Sequence, residues 1–393
     1  MKRQDCDIAI VGGGLAGGLA ALALARHRPD LSLRLIEEGA APGGNHRWSW
    51  FATDLSPEGA ALMDTFNLTC WSSGYDVAFP GRERTLKTRY RSLASGNFAA
   101  ALARELPAGT VVTGQAAALL EGDGVTLESG ERITARTVID ARGLSGSRHL
   151  SGGWQVFMGR TLRLPSPHGV TRPTIMDAQV EQVGGYRFVY VLPLSECEIF
   201  IEDTYYQDSP LLDRAALSSR LDAYAAARGW AGEVVGEETG VLPVITGGDF
   251  AAFQAEMNTP GVAAIGVRGG FTHPLTSYTL PFAVETALAV AGAADLPGDR
   301  LAAMMAERAR RHWRATGFYR LLGTMLFGAA EPDQRWRVFS RFYGLSAPLI
   351  ERFYAGRSTV ADRIRILCGR PPVPIGKAIG ALTGQQPPLK EAA

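Results

Sequence analysis

An α/β fold is predicted, on three observations. The chain opens with an apolar strand that runs through a glycine-rich turn into an Ala/Leu-rich helix. Two later apolar strands end in the turns Asp140-Ala141-Arg142-Gly143 and Gly266-Val267-Arg268-Gly269-Gly270, and the last hundred residues carry helical periodicity. With 393 residues, 46% of them hydrophobic and 20% charged, the chain has enough apolar material for a large core and two domains. Its formal charge of +1, from 40 basic and 39 acidic residues, provides no overall field for nucleic acid, so no nucleic-acid partner is expected.

The first element is the strand Ile8 to Val11, followed by Gly12-Gly13-Gly14-Leu15-Ala16-Gly17 and a helix through Leu19 to Arg26. This is G-x-G-x-x-G in the strand–turn–helix setting that gives the motif its meaning, a Rossmann-type dinucleotide site. Gly12 makes the tight turn, Gly14 lets backbone approach a pyrophosphate, and Gly17 lets the helix close on the strand. Leu15 and Ala16 begin the helix whose N-terminus faces the phosphates. A second strand, Leu31 to Ile36, ends at Glu37, twenty residues after Gly17, where a carboxylate can take the ribose hydroxyls of an adenosine. NADP would want an arginine there instead. A secretory signal is the competing reading of this start, but Asp5 and Asp7 interrupt the basic Lys2-Arg3 region and three glycines break the apolar run.

Two further segments select FAD over NAD. A strand through Thr137 to Ile139 ends at Asp140 and Gly143, and one through Val262 to Ile265 ends at Gly266, Gly269 and Gly270. Flavoproteins of the hydroxylase kind return the chain to the cofactor in this way; an ordinary strand-end turn is the alternative for each. His273 and Pro274 follow, and Pro281 opens a helix to about Ala294 whose N-terminus favours negative charge, as on a reduced flavin. The expected FAD-binding domain is therefore discontinuous, 1–150 with 259–296.

Between the returns, 151–258 reads as an inserted β-sheet substrate domain. Its clearest hairpin is Tyr186 to Leu192, a turn at Pro193-Leu194-Ser195, and Cys197 to Thr204. Alternation puts Phe200, Glu202 and Thr204 on one face and Ile199, Ile201 and Asp203 on the other, so Glu202 and Asp203 point in opposite directions. A carboxylate guarding an edge strand is the plainer role for either. The region 297–393 reads as helical. In it Arg308, Arg310, Arg311 and Arg314 lead into the apolar stripe Phe318, Leu321, Leu322, Met325, with Trp336, Phe339, Phe342, Phe353 and Tyr354 beyond. Core packing and a membrane-facing surface are the two readings of that stripe; the tail from Gln385 onward is expected to fray. No segment is long and apolar enough to span a bilayer. Cys6, Cys70, Cys197 and Cys368 form no C-x-x-C pair, so no metal site or disulfide framework is expected, in keeping with a cytoplasmic protein.

At longer strings the chain resembles the bacterial lycopene β-cyclases of the carotenoid pathway. The resemblance rests on Gly43-Gly44-Asn45-His46-Arg47-Trp48-Ser49-Trp50, Thr171-Arg172-Pro173-Thr174-Ile175-Met176-Asp177 and Gly185-Tyr186-Arg187-Phe188-Val189-Tyr190. It continues through Ile201-Glu202-Asp203-Thr204, Gly269-Gly270-Phe271-Thr272-His273-Pro274 and the run from Leu349 to Arg357. Phe200 to Thr204 is similar to the family's Phe-Leu-Glu-Glu-Thr signature, which makes Glu202 the implied catalytic residue. The sequence Thr276-Ser277-Tyr278-Thr279 stands where Thr-Gly-Tyr-Ser is usual, which puts the backbone shape of that loop in question.

The resemblance implies conversion of the linear ψ-ends of lycopene and related carotenoids into β-rings, through γ-carotene to β-carotene. It is an isomerisation that needs reduced FAD without net electron transfer, with NAD(P)H as electron source. Glu202 would act as a protonated acid, and Trp48, Trp50, Phe200 and Tyr278 would line the substrate pocket around the developing cation. The protein would sit peripherally on the inner face of the cell membrane, against lipid. A flavin monooxygenase or isoprenoid reductase, or a carotenoid- or flavin-binding protein without turnover, are the rival readings of the same fold.

Overall fold

A computed structural model describes residues 4–144, 146–369, 375–384 and 388–389. Lys2-Arg3 lies outside them, as does the tail expected to fray, except for Pro388–Leu389, which pairs with the strand Ser147–Arg163.

The dinucleotide half is a seven-stranded sheet. Its centre is parallel: Leu33–Ile36, Cys6–Val11, Arg132–Asp140 and Val262–Ala264 lie side by side. Cys6–Val11 is almost wholly buried, as a strand covered on both faces must be. The helix Leu15–His27 follows the glycine turn and packs its buried Leu19, Leu22 and Leu24 against the core. The helix Leu280–Gly292, opened by Pro281 as expected, lies against it. In the second, eight-stranded sheet seven strands run in the order Glu233–Gly248, Ser147–Arg163, Glu198–Gln207, Tyr186–Pro193, Thr174–Asp177, Tyr75–Phe79, Arg82–Leu86, and Pro388–Leu389 pairs with Ser147–Arg163 off that path. Its last two strands come from before residue 150, so the sheet is not confined to the expected insertion. A small sheet of Arg47–Phe51, Tyr90–Ala94 and Thr69–Trp71 stands beside it.

Alternation on Glu198–Gln207 is as the sequence predicts. Ile199, Ile201 and Tyr205 pack on one side with Leu217 and Leu221 of the helix Arg214–Ala226. Phe200 and Glu202 face the other way, into a cavity. The C-terminal helices Gly317–Ala329, Trp336–Phe342, Ala347–Tyr354, Val360–Leu367 and Ile375–Thr383 cover the second sheet's aromatic core, in which Tyr186 stacks on Phe339 at 4.2 Å.

Candidate active site

The cofactor cradle is built by convergence on one helix N-terminus. Gly12 has φ +99°, and a Cβ there would lie 2.8 Å from the carbonyl carbon of Ala141. The first return therefore crosses directly over the glycine turn. A Cβ on Gly266, φ +63°, would lie 2.8 Å from that of Ala16, so the second return closes on the same spot. Gly17 is tighter still, since its Cβ would meet the Gly12 carbonyl oxygen at 1.9 Å. By contrast, Cβ atoms on Gly14 and Gly143 would meet nothing within 4 Å, which leaves open ground at the helix N-terminus. Glu37 holds the turn itself: its carboxylate accepts the amides of Gly13 and Gly39, both at 2.7 Å. Each oxygen keeps a lone pair for a ribose hydroxyl. The residues present fit a dinucleotide whose pyrophosphate lies at this helix end.

Asp140 has another task beside the one expected of it. Its buried carboxylate pairs with Arg142 at 2.8 Å and with Arg268 at 2.7 Å, so it braces the two returns against each other. The His273 side chain does not border the cradle. It is fully buried, with Nε2 3.1 Å from the Phe353 carbonyl oxygen and Nδ1 accepting the Thr276 amide at 3.2 Å. Burial pushes its pKa down to about 3, so it is a neutral ring in the core.

The Gly43 amide donates to the Gly13 carbonyl of the glycine turn at 3.0 Å, and a few residues further on His46 to Ser49 line a cavity of about 180 Å³. Glu202, Phe200, Trp48 and Tyr278 line it, together with Arg47, Tyr90, Gln155, Tyr190 and Glu238. Trp50 does not: it shares a strand face with Trp48 but is wholly buried in the dinucleotide core, against which Trp48 is only partly covered. Its expected place in the pocket is corrected accordingly. The Tyr90 and Tyr278 hydroxyls lie 3.2 Å apart, and aromatic faces surround the acidic floor.

That floor holds two residues which sequence reasoning did not single out. Gly159 pairs with Glu202 on one side and with Glu238 on the other, so the two carboxyls meet over a residue with no side chain. Each acts on the other's charge, and Arg47 supplies the nearby positive charge. The Arg47 guanidinium also lies 5.4 Å from the Phe200 ring centroid. Thr204 donates to Glu202 at 2.8 Å. Both carboxyls are pushed above the usual carboxylate range, by burial first in each case, with the charge of Glu202 adding to the rise at Glu238. Two neighbouring buried carboxyls resist ionising together. Asp203, on the opposite face, is committed elsewhere: it accepts from Arg187 at 2.8 Å and from the Tyr205 hydroxyl at 2.7 Å, with no exposure.

The question raised by Ser277 has a direct answer. Its φ is +55°, the one positive value at a non-glycine among the described residues, and its hydroxyl donates to the Pro243 carbonyl at 2.8 Å. The loop keeps its left-handed residue without glycine, and the hydrogen bond offsets part of the cost.

A second, apolar cavity of about 210 Å³ lies among the C-terminal helices. Thr276 lines both cavities, and Tyr354 of the second lies 5.5 Å, ring to ring, from Tyr278 of the first. Leu367, Ile379 and Leu382 line the second cavity while 51%, 59% and 45% exposed, so its rim is apolar and outward. The expected stripe is turned inward by comparison. Phe318 and Leu322 pack on the core, only Leu321 is exposed, and Arg310 and Arg314 both pair with Glu307. No described helix is long and apolar enough to cross a membrane.

A family described as "Lycopene cyclase protein" matches residues 7–379. A lycopene beta-cyclase of Pseudescherichia vulneris is 44% identical over 98% of this chain and 99% of its own length. One from Paracoccus sp. (strain N81106 / MBIC 01143) is 43% identical over the same shares. Among solved structures, a geranylgeranyl bacteriochlorophyll reductase-like protein from Thermoplasma acidophilum aligns over 96% of this chain and 98% of its own, with a TM-score of 0.59 and 14% identity. A flavin-dependent brominase aligns over 89% and 93%, with a TM-score of 0.61 and 14% identity. At that identity the likeness establishes the fold, a Rossmann-type arrangement shared with flavin-dependent enzymes.

Proposed function

The chain belongs to the lycopene cyclase family, and from that premise we propose that it is a lycopene β-cyclase. It closes the ψ-ends of lycopene into β-rings, by way of γ-carotene to β-carotene, as an isomerase. The observation that carries the mechanism is a carboxyl, Glu202, buried in an aromatic-walled cavity beside a dinucleotide cradle. FAD is the cofactor, held by Gly12, Gly14, Leu15, Ala16, Gly17 and Glu37 and by the returns at Asp140 to Gly143 and Gly266 to Gly270, with NAD(P)H as electron source. When bound in its reduced form, FAD supplies negative charge that favours a nearby carbocation.

The protein's own groups do the rest. Glu202, whose pKa burial raises, donates its proton to C2 of the terminal C1=C2 bond. The cation left at C1 is attacked by C6 of the C5=C6 bond, and the ring closes. Trp48, Tyr90, Tyr190 and Tyr278 offer ring faces to the charge as it moves to C5. Loss of a proton from C6 gives the β-ring, and no electrons are gained or lost.

Lycopene is a hydrocarbon, so its supply is from lipid. The protein is cytoplasmic and peripheral to the inner face of the membrane, with the apolar cavity and its rim of Leu367, Ile379 and Leu382 as the route towards the acid. Incubation of the purified protein with FAD, a reductant and lycopene in liposomes without oxygen tests the reading. A cyclic product of unchanged mass is expected. A product heavier by oxygen would make the protein a monooxygenase, and one heavier by hydrogen a reductase.

A further inference from the structure

Glu238 is the buried carboxyl that the mechanism above leaves without work. It sits on the strand Glu233–Gly248, separated from Glu202 only by Gly159 of the intervening strand, and it lines the same cavity. A Cβ on Gly159 would lie 3.2 Å from Cγ of Glu238 and 2.4 Å from the tip of the Phe200 ring, so the glycine is what allows both acids to lie over one point of the floor. Two carboxyls buried side by side in one cavity resist ionising together, and when one gives up its proton the other is at hand as a base. Arg47, facing both, balances the single negative charge.

Resting on the cyclase reading, we propose that Glu238 is a catalytic residue: the base that takes the C6 proton and thereby sets the ring double bond at C5=C6. The proton account closes within the pair. Glu202 gives its proton to C2, the bond C1–C6 forms, and the cation at C5 is quenched when the C6–H electron pair becomes the C5=C6 double bond. That proton goes to the Glu238 carboxylate and returns to Glu202 within the pair. Each turnover ends with the pair as it began, and no proton need cross the apolar walls from solvent.

The chemistry gives Glu238 a signature that a packing role lacks. The same C5 cation can lose a proton from C4, giving an ε-ring, or from the methyl group on C5, giving a γ-ring. A base placed at C6 excludes both. The test compares E238Q and E238D with wild type, on flavin-loaded protein, with lycopene in liposomes under reducing conditions and resolution of ring types in the product. E238Q is expected to lose at least about a hundred-fold in rate, and its residual rings to include ε or γ isomers. E238D, which keeps a carboxyl at shorter reach, is expected to recover part of the rate with β-rings predominating. E238Q making only β-rings at the wild-type rate would overturn the inference, and so would E238D as inactive as E238Q. If E238Q fails to retain flavin, E238D decides alone. Absence of any cyclic product from wild type is a different failure, that of the cyclase reading itself.

Discussion

At the residue scale, neighbours in sequence have opposite duties. Glu202 faces the cavity with a raised pKa, and Asp203 behind it is locked to Arg187. That division follows from strand periodicity and was legible in the sequence. The duties of Asp140 and His273 were not, because what they do depends on residues distant in the chain: Arg268 for one, and the Phe353 carbonyl for the other. Glu37 combines both kinds. Its place at the end of the second strand was readable, while its grip on the Gly13 and Gly39 amides was not. Glu37→Ala therefore removes a ribose partner and loosens the turn together. The purified variant is expected to lose about ten-fold or more in FAD affinity, one charge-assisted hydrogen bond being worth roughly 1.5–3 kcal/mol, while its far-ultraviolet circular dichroism stays that of wild type. Flavin titration checks this; unchanged affinity would remove Glu37 from the site.

Among the elements, those built from local pattern were foreseen and those built from register were not. The first strand, its helix and the hairpin of the second sheet announce themselves by periodicity and turn residues. Glu238 does not, because Glu237 and Glu238 read alike until the pairing of Ser147–Arg163 with Glu233–Gly248, which carries two irregularities, selects the one that faces Glu202. The stripe from Phe318 to Met325 packs largely inward for a similar reason: an apolar stripe does not say what will cover it. The exposed apolar side chains lie instead on Val360–Leu367 and Ile375–Thr383, at the rim of the apolar cavity. Ile379→Glu is expected to weaken flotation with liposomes several-fold without loss of bound flavin, since the side chain is already outward. Flotation equal to wild type would show that this rim does not meet lipid.

Across the whole molecule, one sheet carries the dinucleotide cradle and the other an acidic floor, and Thr276 lines both the cavity over that floor and the apolar cavity among the C-terminal helices. The cradle end was legible because glycine conformation is written in the sequence; the floor was half legible, through Glu202 alone. The central claim is that this buried carboxyl supplies the proton that starts ring closure. The most direct measurement is anaerobic turnover of lycopene by E202Q, set beside wild type and D203N, each with its flavin content determined. The account predicts that E202Q keeps FAD and loses about a hundred- to ten-thousand-fold in rate. D203N is predicted to lose thermal stability, up to the roughly 3–5 kcal/mol of a broken buried ion pair, while its folded fraction still forms β-rings. An E202Q protein that carries flavin and cyclises lycopene as fast as wild type would contradict it.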